Sequence, residues 1–413
     1  MNTGGIILIA VLLALVAYAA WLSAPPGALR PLIPQDREEA LLKHVPEDTR
    51  SGNFLETFTA FNPMVARMEE DIETAQKYVH LLFYKYEDDE VCRRVAERLA
   101  RKAAAGVEVR ILVDHAVNMD RSRFYDELRA RGIQVKLFSP MHIPFLIPSD
   151  NYRNHRKIVV VDGRVAYMGG MNIAERYGIG LGWGIWRDTH IRIEGPAVTG
   201  CEFAFARDWA YKGGELLADA LYFPPQPPVG TVNVDIVCSG PKGDGPRIMH
   251  RICGMLDASR HYAWLESPYL IPTREVRDSL LAAAGRGVDV RIIIPPRGDR
   301  GVLTPLCSNS YVEELLEAGV RIARYRSGYM HSKTVVCDDR FVTVGTANID
   351  PRSYKLNYEI NAFIDDGAYA LQMKSFFAAD EAQSDYMDLA AWERRGLLAR
   401  AAESFARIGS AQF

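Results

Sequence analysis

His155-Arg156-Lys157-Ile158-Val159-Val160-Val161-Asp162 decides the reading of this chain, because the same pattern occurs a second time. The second copy is His331-Ser332-Lys333-Thr334-Val335-Val336-Cys337-Asp338, 176 residues later. Both read H-x-K-x4-D. Each runs on to a glycine turn and an asparagine, Gly169-Gly170-Met171-Asn172 and Gly345-Thr346-Ala347-Asn348, with the Asn 17 residues after the His in both copies. A signature repeated together with its extension marks an internal duplication, and one site can then draw on both halves.

In an extended strand, side chains two apart share a face, so H-x-K presents an imidazole and an ammonium side by side. The apolar run after each motif continues the strand into a buried sheet. Two copies brought together place two His, two Lys and two Asn around one small volume, which suits a phosphate group. Lys157 and Lys333 supply charge; Asn172 and Asn348 supply hydrogen bonds to non-bridging oxygens. One His attacks phosphorus, and the other protonates the leaving alkoxide. So much positive charge leaves little need for a metal ion or another cofactor.

A nucleophilic His also needs an acceptor on its other ring nitrogen. Asp188, 33 residues after His155, is expected to hold His155; Glu359, 28 residues after His331, is expected to hold His331. Asp162 and Asp338 complete the signature and count among the candidate catalytic residues. Each precedes a turn, however, so a structural role is at least as well supported.

The surrounding sequence repeats as well. Tyr78–Tyr84, Gly106–Val113 and Gly132–Phe138 read as strands, with a helix at Val91–Ala105; Tyr262–Glu266, Gly287–Ile294 and Gly319–Tyr325 repeat them, with a helix at Val276–Ala284. The pattern predicts two homologous α/β domains, 56–225 and 226–385, each with a mainly parallel sheet, related by a pseudo-twofold axis with the site between them. Residues 25–55 read as a linker. In 386–413, Leu398, Ala401, Phe405 and Ile408 line one face of an amphipathic helix, expected to dock on the domain rather than on a membrane. The first half carries an extra apolar loop, Met141–Pro148, which reads as packed on the core or as a lip that meets lipid. The glycine-rich run Tyr177–Gly184 reads as a loop leading to Asp188, not as a dinucleotide fingerprint.

Composition bounds the function. The chain has 413 residues and a net charge of −3, without the broad basic field of a nucleic-acid binder. Local charge remains, with Arg153, Arg156 and Lys157 clustered at the first motif. The six cysteines have no metal-ligand spacing and read as reduced core residues. Ile6–Leu22 is uncharged over 17 residues and would reach about 26 Å as a helix, enough to cross a bilayer core. It predicts a transmembrane anchor within residues 1–24. A cleaved signal peptide is the alternative, with Ala17-Tyr18-Ala19 as its cleavage site, but no Lys or Arg precedes the segment. Arg30 and Arg37 after it favour a cytoplasmic catalytic part at the cell membrane.

The duplicated motif resembles that of the phospholipase D superfamily. Asn151-Tyr152-Arg153-Asn154-His155-Arg156-Lys157, Trp186-Arg187-Asp188-Thr189-His190, Glu266-Ser267-Pro268-Tyr269 and the segment Gly345–Ser353 resemble bacterial cardiolipin synthases. The resemblance runs from about residue 50 to the end. It implies a phosphatidyl group passed from one phosphatidylglycerol, through a histidine, to a second, giving cardiolipin and glycerol. Phosphatidylethanolamine is an alternative substrate. It also implies His155 as nucleophile, His331 as acid and base, and Lys157, Asn172, Lys333 and Asn348 around them. Two departures stand out: one hydrophobic N-terminal segment where long members carry two, and Thr346 where the superfamily commonly has Ser. The rival readings are a hydrolytic phospholipase D, a superfamily nuclease and a non-catalytic lipid-binding scaffold.

Overall fold

A computed structural model describes residues 31–139, 151–180, 184–298 and 301–410. The apolar segment Ile6–Leu22 and the loop Met141–Pro148 lie outside the described residues. Among the described residues, no helix is long and apolar enough to cross a membrane.

The first half builds a seven-stranded sheet. Its strands are β1 (Phe54–Phe58), β2 (Tyr78–Phe83), β3 (Glu108–Asp114), β4 (Gln134–Phe138), β6 (Lys157–Val161), β7 (Val165–Gly169) and β9 (His190–Glu194), in the order β1-β9-β7-β6-β2-β3-β4. The second half repeats this order. Its strands β10 (Asn233–Ser239), β11 (Tyr262–Glu266), β12 (Asp289–Ile294), β13 (Arg321–Tyr325), β15 (Thr334–Cys337), β16 (Phe341–Gly345) and β17 (Asn357–Asp365) run β10-β17-β16-β15-β11-β12-β13, and β18 (Ser384–Tyr386) extends the edge. Two matching strand orders are the structural counterpart of the two motifs.

The sheets are mixed, not mainly parallel. Among the described residues, parallel pairing within each half is confined to β2-β3-β4 and β11-β12-β13. Those pairs are joined through helices such as Glu90–Ala104 and Arg274–Gly285, and a helical crossover returns the chain in the same direction. β6-β7 and β15-β16 are antiparallel, because a tight turn joins each pair.

Alternation along β6 sorts the core. Ile158 and Val160 face a central core shared by both halves and by the helices Val198–Tyr211 and Gly367–Glu381. Val159 and Val161 face an outer core under the first half's helices. All four are almost fully buried, which is why the segment is a run of β-branched residues with no polar member. All six cysteines are free, and Cys92, Cys201, Cys307 and Cys337 are buried.

Asp162 and Asp338 sit in the turns after β6 and β15, with φ near +52° and +51°. Asp tolerates this left-handed conformation better than most residues. The Asp162 carboxylate accepts from the backbone N–H groups of Gln76, Lys77 and Tyr78 at 2.7, 2.8 and 2.9 Å. Asp338 accepts from Arg260, His261 and Tyr262 at 2.7, 2.9 and 2.9 Å. Each aspartate therefore anchors the entry of the neighbouring strand, at the opposite end of its own strand from the His. Their place in the candidate catalytic set is corrected: they hold the sheet. Asp338→Ala should cost about 2 kcal/mol of unfolding free energy by denaturant titration, with the activity per folded molecule retained.

Candidate active site

Two short strands cross between the halves. β5 (Arg153–Asn154) pairs in parallel with the start of β17, at Asn357 and Tyr358. β14 (Gly328–Met330) pairs in parallel with β8 (Ile185–Arg187). Each segment that leads into an H-x-K motif is thus zipped onto the segment of the other half that carries a carboxylate. The His155 N–H continues the first ladder to the Tyr358 carbonyl at 2.9 Å, and the His331 N–H continues the second to the Arg187 carbonyl at 2.7 Å.

This exchange fixes the histidine partners, and they are the reverse of those expected from spacing. His155 Nδ1 lies 3.0 Å from both carboxylate oxygens of Glu359. His331 Nδ1 lies 2.5 Å from Asp188 Oδ2. Each imidazole is held by an acid of the opposite half. A carboxylate only accepts, so each Nδ1 carries the proton and Nε2 is left for chemistry.

Each lysine reaches back to the histidine of its own motif. Lys157 Nζ donates to the His155 carbonyl at 2.6 Å, and Lys333 Nζ donates to the His331 carbonyl. Lys333 Nζ also approaches His331 Nδ1, at 2.8 Å, and Asp188 Oδ2, at 3.9 Å. The asparagines again cross over. Asn348 lines a cavity of about 580 Å³ together with His155. Asn172 donates to the Tyr177 hydroxyl at 2.6 Å, and the Tyr177 ring stands edge-on to His331. Among the described residues, the buried Asn348 side-chain oxygen finds no hydrogen-bond donor.

The electrostatics separate acids from base. Burial pushes the His155 imidazole down to about 4; Glu359 opposes the shift, and Lys157 and Lys333 reinforce it. His155 is therefore neutral at neutral pH. Burial alone would raise Asp188, but Lys333 and then His331 carry it below its usual range. Glu359 behaves likewise, with His155 and then Lys157 opposing its burial. Both acids are carboxylates. Among the described residues, no cluster of His, Cys, Asp and Glu could hold a metal ion.

A family model described as "Cardiolipin synthase, PLD-like domain" matches residues 68–183 and 252–381, so both halves and both motifs fall within it. The cardiolipin synthase of Geobacillus thermodenitrificans is 37% identical over 347 residues, covering 83% of this chain and 69% of that protein. The major cardiolipin synthase of Bacillus subtilis is 36% identical over 360 residues, covering 86% of this chain and 74% of its own length. The chain belongs to the cardiolipin synthase family. Its fold is shared with the phosphatidylserine synthase of Haemophilus influenzae, at a TM-score of 0.68 and 15% identity over 92% of this chain and 98% of that one. The polyphosphate kinase of Porphyromonas gingivalis is more distant, at a TM-score of 0.57 and 13% identity over 87% of this chain and 53% of that one.

Several residues of the candidate site were not legible from spacing. Tyr84 stands edge-on to His155 and lies beneath the Lys157 ammonium. Gly170 is needed because a Cβ there would overlap the Asp188 carboxylate. Arg187 donates to the Asp188 carbonyl and the Thr189 hydroxyl, both at 2.9 Å, and meets Asp380 of the second half at 2.7 Å. It braces Asp188 from behind. Arg156 is not part of a basic patch at the site. It is fully buried, pairs with Asp208 at 2.6 Å, and donates to the Glu359 carbonyl at 3.1 Å. Of the expected cluster Arg153, Arg156 and Lys157, only Arg153 lines the cavity, where Arg352 joins it.

Proposed function

We propose that the chain transfers a phosphatidyl group between two phosphatidylglycerol molecules, giving cardiolipin and glycerol. The observation that carries this reading is the pair of imidazoles from duplicated motifs, each oriented by a carboxylate of the opposite half, with His155 on a cavity that also holds the guanidinium groups of Arg153 and Arg352. His155 faces that cavity in neutral form and takes the nucleophile's role. Its Nε2 attacks phosphorus, and the P–O bond to the donor's glycerol breaks. His331, whose imidazolium the Asp188 carboxylate stabilises, gives its proton to the departing oxygen. The glycerol leaves. A hydroxyl of the acceptor lipid then loses its proton to His331 and attacks phosphorus. The P–N bond breaks, and both histidines return to their starting states.

Lys157, Lys333, Asn172 and Asn348 take the supporting roles around the phosphoryl oxygens, and Arg153 and Arg352 provide charge for a second phosphodiester. Ile6–Leu22 is read as the anchor that keeps the chain at the cell membrane, with the catalytic part on the cytoplasmic side.

The test is product analysis in mixed micelles, with phosphatidylglycerol labelled in the headgroup and in the acyl chains. Cardiolipin and glycerol in equal amounts are expected. Phosphatidic acid without cardiolipin would make water the acceptor and the enzyme a hydrolase. A pH profile adds a second check. Because His155 is held neutral down to about pH 4, the acid limb of kcat/KM should fall near that value, with activity lost as pH drops through it. An acid limb at the ordinary imidazole value of 6.5 would contradict a desolvated nucleophile.

A further inference from the structure

The C-terminal helix Leu397–Ile408 is docked the wrong way round for a helix that belongs to a water-soluble surface. Its polar face meets the protein. Arg400 pairs with Glu313 and Arg407 with Glu314, each at 2.8 Å, and Arg407 also donates to the Ser310 carbonyl at 3.0 Å. The Arg407 guanidinium lies 4.0 Å from the centre of the Tyr311 ring. Glu403 and Ala406 are buried on this side. The apolar face points away: Leu397 is 83% exposed, and Leu398, Phe405 and Ile408 of the stripe legible in the sequence are 89%, 70% and 67% exposed. The expected docking through that stripe is therefore corrected. A stripe of this size left in water needs an occupant.

The fold indicates which one. The tail helix packs on the helix Leu303–Asn309. That supporting helix starts at the candidate active site: Val302 and Leu303 line the cavity that holds His155 and Asn348, and they are 74% and 54% exposed. Seven residues of helix span about 10 Å. One short helix thus connects an apolar cavity rim to an outward apolar face. If the cavity takes phospholipid headgroups, acyl chains that leave it along Val302 and Leu303 meet apolar side chains.

We propose that the outward face of Leu397–Ile408, with Val302 and Leu303, inserts into the surface of a phospholipid bilayer and holds the cavity mouth against it. This rests on the lipid-transfer reading above. The polar docking contacts let the helix keep its place on the protein while its whole apolar face is given to lipid, the arrangement of an interfacial helix.

The test uses the full chain with Cys238 and Cys253, the two partly exposed cysteines, replaced by Ser. Leu398→Cys or Phe405→Cys is labelled with an environment-sensitive fluorophore. Arg260→Cys serves as control, exposed in the bend before β11 and not among the residues lining the cavity. Each is mixed with vesicles of phosphatidylglycerol and phosphatidylethanolamine, with and without nitroxide-labelled lipid. Quenching of about twofold or more at 398 and 405, with none at 260, supports the proposal. Equal emission with and without nitroxide overturns it. So does a blue-shifted emission at 398 and 405 before lipid is added, which would mean that a second copy or the N-terminal segment covers the face.

Activity gives an independent arm. Leu398→Asp with Phe405→Asp should lower the rate on vesicles about tenfold and leave the rate in mixed micelles unchanged. Equal loss in both would assign the helix a structural role and overturn the proposal. If the unaltered chain makes no cardiolipin in either medium, the transfer reading fails, while the quenching result still decides the surface.

Discussion

His155→Ala and His331→Ala each reduce turnover by at least about 10⁴-fold, and mixing the two variants as folded proteins restores nothing. The expectation follows from where the parts come from. His155 stands in the first half, but its carboxylate partner and the asparagine beside it, Glu359 and Asn348, come from the second. His331 stands in the second half and leans on Asp188 of the first. Neither half holds a complete set, so neither works alone. Two independent sites would instead leave about half the rate in each variant. Circular dichroism and denaturant midpoints close to those of the unaltered chain show that the loss is chemical.

Glu359→Gln and Asp188→Asn come next in size, with losses of about 10³-fold each, and they should fail at different steps. An amide can present its NH2 to Nδ1, which favours the other tautomer and takes Nε2 out of use as a lone pair. For His155, this blocks attack on phosphorus, so Glu359→Gln forms no covalent intermediate. For His331, loss of the Asp188 charge removes support for the imidazolium. Asp188→Asn therefore slows both departure of the donor's glycerol and activation of the acceptor. Rapid-quench measurements of covalently bound lipid separate the two cases. Were the carboxylates paired within their own halves, the two phenotypes would be exchanged. That makes the experiment a direct reading of the crossed geometry.

The crossed pairing also shows where the sequence stops being informative. The strands were legible because a period of two and runs such as Ile158–Val161 are local. The duplication was legible because two motifs share one spacing. The partners of the histidines were not, because β5-β17 and β14-β8 join residues 204 and 143 positions apart at the two sites. Spacing within a half points to the wrong acid each time. The turn role of Asp162 and Asp338 was visible in the residues after them, although the motif itself invites a catalytic reading. A parallel sheet was expected from alternating strands and helices. The tight turns after those same aspartates make half of each sheet antiparallel. In the tail, the apolar stripe of Leu398, Phe405 and Ile408 was plain. Hydropathy could not tell that the helix docks through arginine–glutamate pairs, since charged residues read as a solvent face until their partners are placed.

Covalent trapping tests the shared site most directly. The enzyme is mixed with acyl-labelled phosphatidylglycerol, quenched in alkali within one turnover, digested and mapped by mass spectrometry. A phosphatidyl adduct on the peptide containing His155, absent in Glu359→Gln, is the predicted result. An adduct on His331, full turnover with no adduct on either peptide, or an undiminished His155 adduct in Glu359→Gln would contradict His155 as the nucleophile oriented by Glu359 of the opposite half.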